Sequence, residues 1–195
     1  MRRRVVITGM GTLNPLGHDV DTFWTGLVAG RSGIGPITAF DASEQAVRIA
    51  GEVRGFDPAQ VLGLKEAKRT DRFSQLILAA ADQAIADAGL VFDGGNGNNR
   101  HVGVLVGTGI GGVGTLLDAY DTMRTRGPRR VSALMAPMMM PNAGAGEIAI
   151  KYGLHGISLS LASACATGTN ALGEAAERIR WGAAEVMICG GGESV

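Results

Sequence analysis

Short apolar runs alternate with segments of helical periodicity along this chain, and the alternation constrains its fold more than any other feature. Four runs are typical of strands, at residues 4–8, 102–106, 157–162 and 185–189. Apolar residues recur at helical spacing in five segments, at residues 21–29, 71–88, 113–123, 141–152 and 166–179. Because strands that alternate with helices pack in layers, the sequence predicts an α/β domain with a mostly parallel sheet flanked by helices.

The connections between these segments carry the usual turn signals. Gly89 and Gly153 each follow a predicted helix, as C-terminal glycines commonly do, and either Thr70 or Asp71 could cap the helix that Gly89 ends. Three connections are predicted to be loop-rich, at residues 31–58, 93–100 and 124–141. The first contains two short strand-like pieces, at residues 34–39 and 47–53.

Charge and apolar content exclude several function classes. Basic and acidic residues number 18 each, so the formal net charge is zero and nothing indicates bulk nucleic-acid binding. No stretch reaches the ~20 apolar residues that cross a membrane, and the N-terminal apolar run is too short for a secretory signal. The two cysteines match no metal-binding spacing, so no metal is predicted, and without a signal peptide they favour a reducing cytoplasm.

Cys165 lies where the predicted strand at 157–162 passes into the helix that begins near Ala166. The first N–H groups of a helix are unpaired and carry partial positive charge, which stabilises a thiolate. A helix end contributes about 0.3–1 kcal/mol, or ~2 kcal/mol when partly buried, so catalysis also requires a base or a stabilised oxyanion. Because many free cysteines are inert core residues, the residues alone leave both interpretations open.

The other cysteine and the histidines give Cys165 no catalytic partner in sequence. Cys189 lies inside an apolar strand-like run, where a small core residue is the preferred interpretation. His18, His101 and His155 each flank a loop or a strand end and share no motif with Cys165. The sequence therefore predicts a nucleophile without a visible base.

The motif GTGIGG, from Gly107 to Gly112, follows a strand and precedes a helix, as the dinucleotide-binding fingerprint does. That fingerprint also requires an acidic residue about 20 positions later, where this chain has GPRRVSA. Arginines there could serve a 2′-phosphate, so an NADP site stays a minor alternative. Glycines also permit a tight turn or close approach to another ligand.

Two basic clusters and a methionine run complete the candidate features. The basic residues are Lys65, Lys68 and Arg69, and then Arg124, Arg126, Arg129 and Arg130. Such clusters are usually solvated faces, but on a neutral chain they could dock an acidic partner. The run from Met138 to Met140 could fill the core, or form an adaptable surface for an acyl chain or a subunit.

Together these stretches resemble the β-ketoacyl-acyl-carrier-protein synthases, in particular the elongating synthase II type of fatty-acid synthesis. The resemblance spans essentially all 195 residues, in RRVVITGMGTLNPLG, GRSGIGPITAFDAS, RIAGEV followed by FDP, VGVLVGTGIGG, KYGLHG and SACATGTNAL. It implies a thiolase-like, layered αβαβα fold built from two similar halves. Residues 1–195 would form the N-terminal β-ketoacyl synthase domain.

The resemblance implies a condensation that uses no cofactor beyond the phosphopantetheine of acyl carrier protein. Cys165 would accept the acyl group from that carrier, and a malonyl carrier would then lose carbon dioxide and attack the Cys165 thioester. The backbone N–H of Cys165 would contribute to the oxyanion hole. Ile110 would line the acyl tunnel, and the resemblance adds Gly109, Met135 and Thr167 as substrate-binding residues.

The resemblance also implies two protein contacts. Acyl carrier protein would dock on a basic patch formed by Lys65, Lys68 and Arg69, with Arg129 and Arg130 as weaker candidates. A second copy of the chain would pair along the strand that runs from Ser158 to Leu161, and would contact the segment from Leu134 to Met140.

The family's catalytic histidines and lysine come from its second half, which the chain does not contain. We therefore expect this chain alone to acylate slowly at Cys165 at most, to be unable to condense, and to expose a broad apolar face. Three alternatives are a polyketide-type ketosynthase, an NADP-binding reductase that uses GTGIGG, and a non-catalytic partner of the chain-length-factor kind. The last class replaces the nucleophile, so an intact Cys165 argues against it.

Overall fold

The computed structural model describes residues 3–92 and 98–194, so most of the loop predicted at 93–100 lies outside the described residues. The helices are α1 (Val20–Val28), α2 (Pro58–Leu62), α3 (Leu64–Ala67), α4 (Arg72–Asp87), α5 (Val113–Arg126), α6 (Met135–Met139), α7 (Ala143–Tyr152) and α8 (Thr167–Arg180). The strands are β1 (Gly35–Pro36), β2 (Ile49–Ala50), β3 (Val102–Gly107), β4 (Ser158–Leu159) and β5 (Val186–Gly191). Two 3₁₀ turns lie at Asn98–His101 and Pro128–Arg130.

A parallel sheet of three strands forms the centre of the described chain. β3 lies in the middle, with β4 on one side and β5 on the other. Every residue of β3 is buried, as expected for a central strand covered on both faces. The parallel sheet and its flanking helices confirm the predicted α/β class.

Side-chain alternation along β3 assigns one helical layer to each face of the sheet. Val102, Val104 and Val106 point to one face of the sheet, where they form a cluster with Phe73 of α4 and Ile148 of α7. Leu105 points to the opposite face, where it packs on Ala171 of α8. The core is therefore α4 and α7 on one side of the sheet and α8 on the other.

The N-terminus of α4 is fixed by Asp71, which confirms one of the two predicted caps. Its Oδ1 accepts a hydrogen bond from the backbone N–H of Phe73, and its Oδ2 accepts one from the Thr115 hydroxyl in α5. The carboxylate is buried, so it links the first turns of two helices. Gly89 follows the helix with a φ of 63°, as a C-terminal glycine should.

The strand predicted at residues 4–8 is wrong. Within the described residues this segment has no strand partner, and Val6 and Ile7 are 58% and 71% exposed. An apolar run becomes a strand only where a neighbouring strand pairs with its backbone, and the described part of the chain provides none here.

The segment that follows is instead docked on α4 through its glycines. An ideal Cβ at Gly11 would lie 2.0 Å from the carbonyl oxygen of Ala80, and one at Gly9 would lie 2.2 Å from that of Ala84. Only a hydrogen atom fits at either position, so the backbone of the segment rests directly on the helix backbone. Gly9 and Gly11 of RVVITGMG therefore serve helix packing.

Other elements differ from expectation mainly in length. The predicted strand at 157–162 is only Ser158–Leu159, because the chain then turns toward Cys165. The connection at 124–141 is more regular than predicted, since it contains a 3₁₀ turn and α6. The strand-like pieces at 34–39 and 47–53 pair as the two-residue antiparallel strands β1 and β2.

The chain exposes much more surface than a folded monomer of its mass is expected to expose. Its accessible area is 12059 Å², whereas a folded monomer of 20.1 kDa is expected to expose about 8,700 Å². Large apolar side chains contribute, among them Trp24 and Val28 of α1, which are 61% and 69% exposed. Exposed apolar side chains are thus present, and whether they form one broad face stays a prediction. None of the helices in the described ranges is long and apolar enough to span a membrane.

Candidate active site

Cys165 is exposed and lies in the turn between β4 and α8, immediately before the helix cap residue Ala166. The predicted position at a strand-to-helix junction is therefore confirmed. The first N–H groups of a helix point toward this side of the turn, where they favour negative charge. The thiol is accessible and is held near a positive backbone end.

The residue before Cys165 has a strained backbone. Ala164 has a φ of 51° and is the one non-glycine residue with positive φ in the described ranges, at a cost of about 1–2 kcal/mol. The buried Thr167 hydroxyl donates to the Ala164 carbonyl at 2.7 Å and accepts from the Ser163 N–H at 2.8 Å. The Asn170 amide donates to the Ser163 hydroxyl at 2.7 Å. These hydrogen bonds hold the strained backbone of the turn in place, and Cys165 is exposed on it.

Three glycines allow backbone to meet backbone beneath this turn. An ideal Cβ at Gly107 would lie 2.2 Å from the Leu161 carbonyl oxygen and 2.4 Å from Cγ2 of Thr167. One at Gly191 would lie 3.1 Å from Cα of Gly168. The ends of β3 and β5 therefore approach the start of α8 as closely as the backbone permits.

The GTGIGG loop follows β3 and lies against the same turn. An ideal Cβ at Gly109 would be 3.7 Å from Cα of Ala164. The Thr108 hydroxyl donates to one carboxylate oxygen of Glu193 at 2.8 Å. The N–H groups of Gly109 and Ile110 donate to the other, at 2.7 and 3.2 Å. The backbone donors that a phosphate would need are thus already used by an internal carboxylate, which argues against the dinucleotide interpretation.

The methionine segment adjoins the other end of this loop. The Gly112 N–H donates to the Met139 carbonyl at 3.0 Å, so α6 ends against the loop. Met135 is half-buried at the start of α6, and Ile110 is 58% exposed at the tip of the loop. The methionine segment therefore contacts the loop through the backbone of Met139.

The four predicted substrate-binding residues thus have different settings. Gly109 and Ile110 lie in the loop that contacts the Cys165 turn, and Met135 lies on the adjoining helix. Thr167 is buried and its hydroxyl is used within the turn. The hydrogen bonds of Thr167 hold the turn together. Direct contact of any of the four residues with substrate stays a prediction.

The histidines lie away from the Cys165 turn in the contacts that the structure gives them. His101 and His155 precede β3 and β4, at the amino edge of a parallel sheet whose carboxyl edge leads to Cys165. A six-residue strand spans about 20 Å. The His18 ring packs edge-on against Phe56, with centroids 6.3 Å apart. In residues 3–92 and 98–194, no three His, Cys, Asp or Glu side chains cluster as metal ligands.

Cys189 has a different environment from Cys165. It lies within β5, half-buried against the cluster formed by Leu105, Ala171 and Ala175. Burial raises the pKa of the Cys189 thiol, because an apolar setting disfavours the thiolate. The structure therefore provides an internal comparison between an accessible thiol and a packed one.

The predicted docking residues are all exposed. Lys65 lies in α3, Lys68 caps that helix, and Arg69 follows it. Arg129 and Arg130 lie in the 3₁₀ turn after α5. None of the five forms an ion pair with another described residue, so their charges face solvent.

Glu193 was not foreseen from the sequence. Its carboxylate reaches a loop more than 80 positions earlier in the chain, since Glu193 and Gly109 are separated by 84 residues. The sequence offered one weak signal, a lone carboxylate immediately after the GGG that ends the last strand.

Comparisons with known proteins agree with this geometry. Residues 2–195 match the family model described as beta-ketoacyl synthase, N-terminal domain. The chain is 47% identical over 193 residues to the 3-oxoacyl-acyl-carrier-protein synthase 2 of Synechocystis sp., covering 99% of this chain and 46% of that protein. The enzyme of the same name from Coxiella burnetii is 45% identical over 192 residues, with coverages of 98% and 46%. The chain thus spans about half the length of the curated relatives it matches.

Solved structures place the fold in the same group. The ishigamide ketosynthase/chain length factor superposes with a TM-score of 0.85 at 30% identity, covering 100% of this chain and 48% of that one. A type II PKS acyl-carrier protein in complex with its ketosynthase bound to the hexaketide gives 0.80 at 28% identity, with coverages of 100% and 52%. These scores confirm the predicted thiolase-like fold. The chain therefore belongs to the beta-ketoacyl synthase family, as a member of its N-terminal domain.

Proposed function

We propose that this chain supplies the acyl-accepting nucleophile, Cys165, of a condensing enzyme that makes 3-oxoacyl-acyl carrier protein. One observation carries the proposal: the thiol is exposed at a strained turn before α8, whereas Cys189 is packed in the sheet. The glycine-rich loop held by Glu193 lies against that turn, and the apolar helix α6 adjoins the loop, which supports a site for a thioester with an acyl tail.

The first step is transfer of the acyl group. The Cys165 thiolate attacks the thioester carbonyl, and the tetrahedral oxyanion is stabilised by backbone N–H groups of the turn, that of Cys165 among them. The bond between the carbonyl carbon and the phosphopantetheine sulfur then breaks. That sulfur leaves as a thiolate and takes up the proton that Cys165 lost.

The second step forms a carbon–carbon bond. A malonyl carrier loses carbon dioxide, and the electron pair left on its α-carbon attacks the carbonyl of the Cys165 thioester. Cys165 leaves as a thiolate, and the product is longer by two carbons. The contacts described for the three histidines place none of them at the Cys165 turn, so we propose that the acid and base groups lie elsewhere in a longer protein.

Acyl carrier protein is the proposed partner, docking on the exposed basic residues of and after α3. Carrier proteins are acidic, so charge complementarity would steer the encounter. A solved relative is described as a ketosynthase in complex with its acyl-carrier protein, which supports this assignment.

We also propose a homodimer, supported by the exposed apolar surface and by β4, which pairs on one side only among the described strands. We also propose a cytoplasmic location, which the two free thiols support.

Elongation of fatty acids is favoured over polyketide synthesis. The curated 3-oxoacyl-acyl-carrier-protein synthases 2 from Synechocystis and Coxiella are 47% and 45% identical to the chain. The ketosynthase structures, which include polyketide enzymes, are 30% and 28% identical.

Acyl transfer to Cys165 can be tested directly by mass spectrometry. The protein is incubated with an acyl thioester of N-acetylcysteamine, digested, and the modified peptide identified. We expect the adduct on Cys165 and not on Cys189, retention of labelling in Cys189→Ala, and its loss in Cys165→Ala. Equal inertness of both thiols would contradict the proposal, and a nicotinamide-cofactor titration would then test the reductase alternative.

A further inference from the structure

The carboxylate of Glu193 joins the end of the last strand to the glycine-rich loop. Three donors of that loop converge on it: the hydroxyl of Thr108 on one oxygen, and the N–H groups of Gly109 and Ile110 on the other. The Thr108 hydroxyl in turn accepts from the Gly111 N–H at 3.2 Å. Every residue from Thr108 to Gly111 is therefore bonded, directly or through one hydroxyl, to Glu193.

The loop would otherwise have few constraints at its tip. Gly109 has no side chain to pack, and Ile110 is 58% exposed. Hydrogen bonds from neutral donors to a carboxylate are about twice as strong as those between neutral groups. We therefore expect the Glu193 carboxylate to dominate the position of this tip.

The position of the tip matters because it borders the nucleophile. Gly109 lies against Ala164, the strained residue that precedes Cys165. The Ile110 side chain projects from the adjacent position, and α6 borders the far end of the loop through Gly112. A shift of the tip would alter the apolar boundary on one side of the Cys165 turn.

We propose that Glu193 is a positioning residue that fixes Ile110 beside Cys165 and thereby sets which acyl chains the thiol accepts. The inference rests on the proposed acyl transfer to Cys165. Glu193 itself touches no reacting atom in this scheme. Its effect is transmitted through the N–H groups of Gly109 and Ile110.

Two variants separate the charge of the residue from its hydrogen bonds. In Glu193→Gln the amide oxygen can still accept from Gly109 and Ile110, and the amide NH₂ can donate to the Thr108 hydroxyl. In Glu193→Ala all three bonds are lost. Glu185→Ala is the matched control, because that exposed carboxylate precedes the same strand and has no side-chain hydrogen bond within the described residues.

The experiment measures the loop and the chemistry separately in the same protein samples. Amide hydrogen exchange at residues 108–111 reports the loop. Cys165 is then treated with iodoacetamide, which has no acyl tail, and with butanoyl and dodecanoyl thioesters of N-acetylcysteamine. The specificity readout is the ratio of the two acylation rates.

For Glu193→Ala we expect exchange at Gly109 and Ile110 to accelerate by about tenfold. We expect the dodecanoyl-to-butanoyl ratio to change by about tenfold as well, with little change in the iodoacetamide rate. Glu193→Gln should restore both, and Glu185→Ala should alter neither. Unchanged exchange in Glu193→Ala would overturn the inference, and so would faster exchange with an unchanged ratio or a Gln variant that behaves like Ala.

Failure of the proposed function is distinguishable from failure of this inference. If the parent protein is not acylated at Cys165 by either thioester, the proposed function is wrong and a role in acyl selection falls with it. The exchange measurement would then still decide whether Glu193 holds the loop.

Discussion

Gly107→Ala tests whether the close approach of backbones beneath Cys165 fixes the position of that residue. The new methyl group would lie 2.2 Å from the Leu161 carbonyl oxygen and 2.4 Å from Cγ2 of Thr167. Carbon and oxygen make ordinary contact near 3.3 Å, so β3 and the Cys165 turn must separate by about 1 Å. The first atom belongs to the backbone and cannot rotate away.

The magnitude follows from two opposing contributions to the free energy of unfolding. Overpacking of this kind costs about 1–3 kcal/mol. Replacement of a strand glycine by alanine regains about 0.5–1 kcal/mol of chain entropy. We expect a net destabilisation of about 0.5–2 kcal/mol, measured by urea unfolding followed by circular dichroism. Because Thr167 anchors Ala164, the Cys165 alkylation rate should change as well.

Gly173→Ala is the control within α8. An ideal Cβ at Gly173 meets nothing within 4 Å, so the substitution should stabilise the helix by about 0.5–1 kcal/mol. The two variants make the same chemical change and should have opposite signs. A Gly107→Ala protein as stable as the parent, with unchanged Cys165 alkylation, would refute the packing argument.

Two further predictions concern acid stability and carrier docking. Hydrogen bonds from the Thr38 backbone and hydroxyl and from the Ala39 N–H lower the pKa of Glu52 from 4.5 to about 2. The stabilisation is complete above the unfolded value of 4.5 and is lost as pH falls toward 2, so Glu52→Gln should flatten the fall in unfolding free energy in that window. A parallel slope in parent and variant would be contrary to this assignment. Reversing the charges of Lys65, Lys68 and Arg69 should raise the KM for acyl carrier protein without slowing Cys165 alkylation. The increase in KM should shrink at high salt, because salt screens these charges. Arg48→Glu is the control at an exposed arginine outside the cluster.

Sequence periodicity found the elements whose apolar faces are buried on one another. α4, β3 and α8 each present a regular apolar pattern to the core, and their predicted positions are confirmed. The run at residues 4–8 has the same composition as a buried strand. Whether it forms one depends on a partner strand, which composition does not reveal.

The candidate site was only partly predictable for a similar reason. The position of Cys165 before a helix follows from local pattern, and the structure confirms it. The left-handed backbone at Ala164 does not follow from local pattern, because alanine gives no sequence signal for a positive φ. The Glu193 carboxylate acts across 84 residues of sequence, and no local rule links such distant groups.

The glycine contacts beneath Cys165 also limit which nearby positions can vary. At Gly107 and Gly191 there is no side chain to vary, because a Cβ at Gly107 would lie 2.2 Å from the Leu161 carbonyl oxygen and one at Gly191 would lie 3.1 Å from Cα of Gly168. Under the proposed function, mutational drift toward new substrates is therefore confined to positions around these glycines, such as Ile110 and Met135. If Cys165 accepts acyl groups as proposed, a library aimed at altered product length should randomise Ile110 and Met135 and leave Gly107 and Gly191 unchanged.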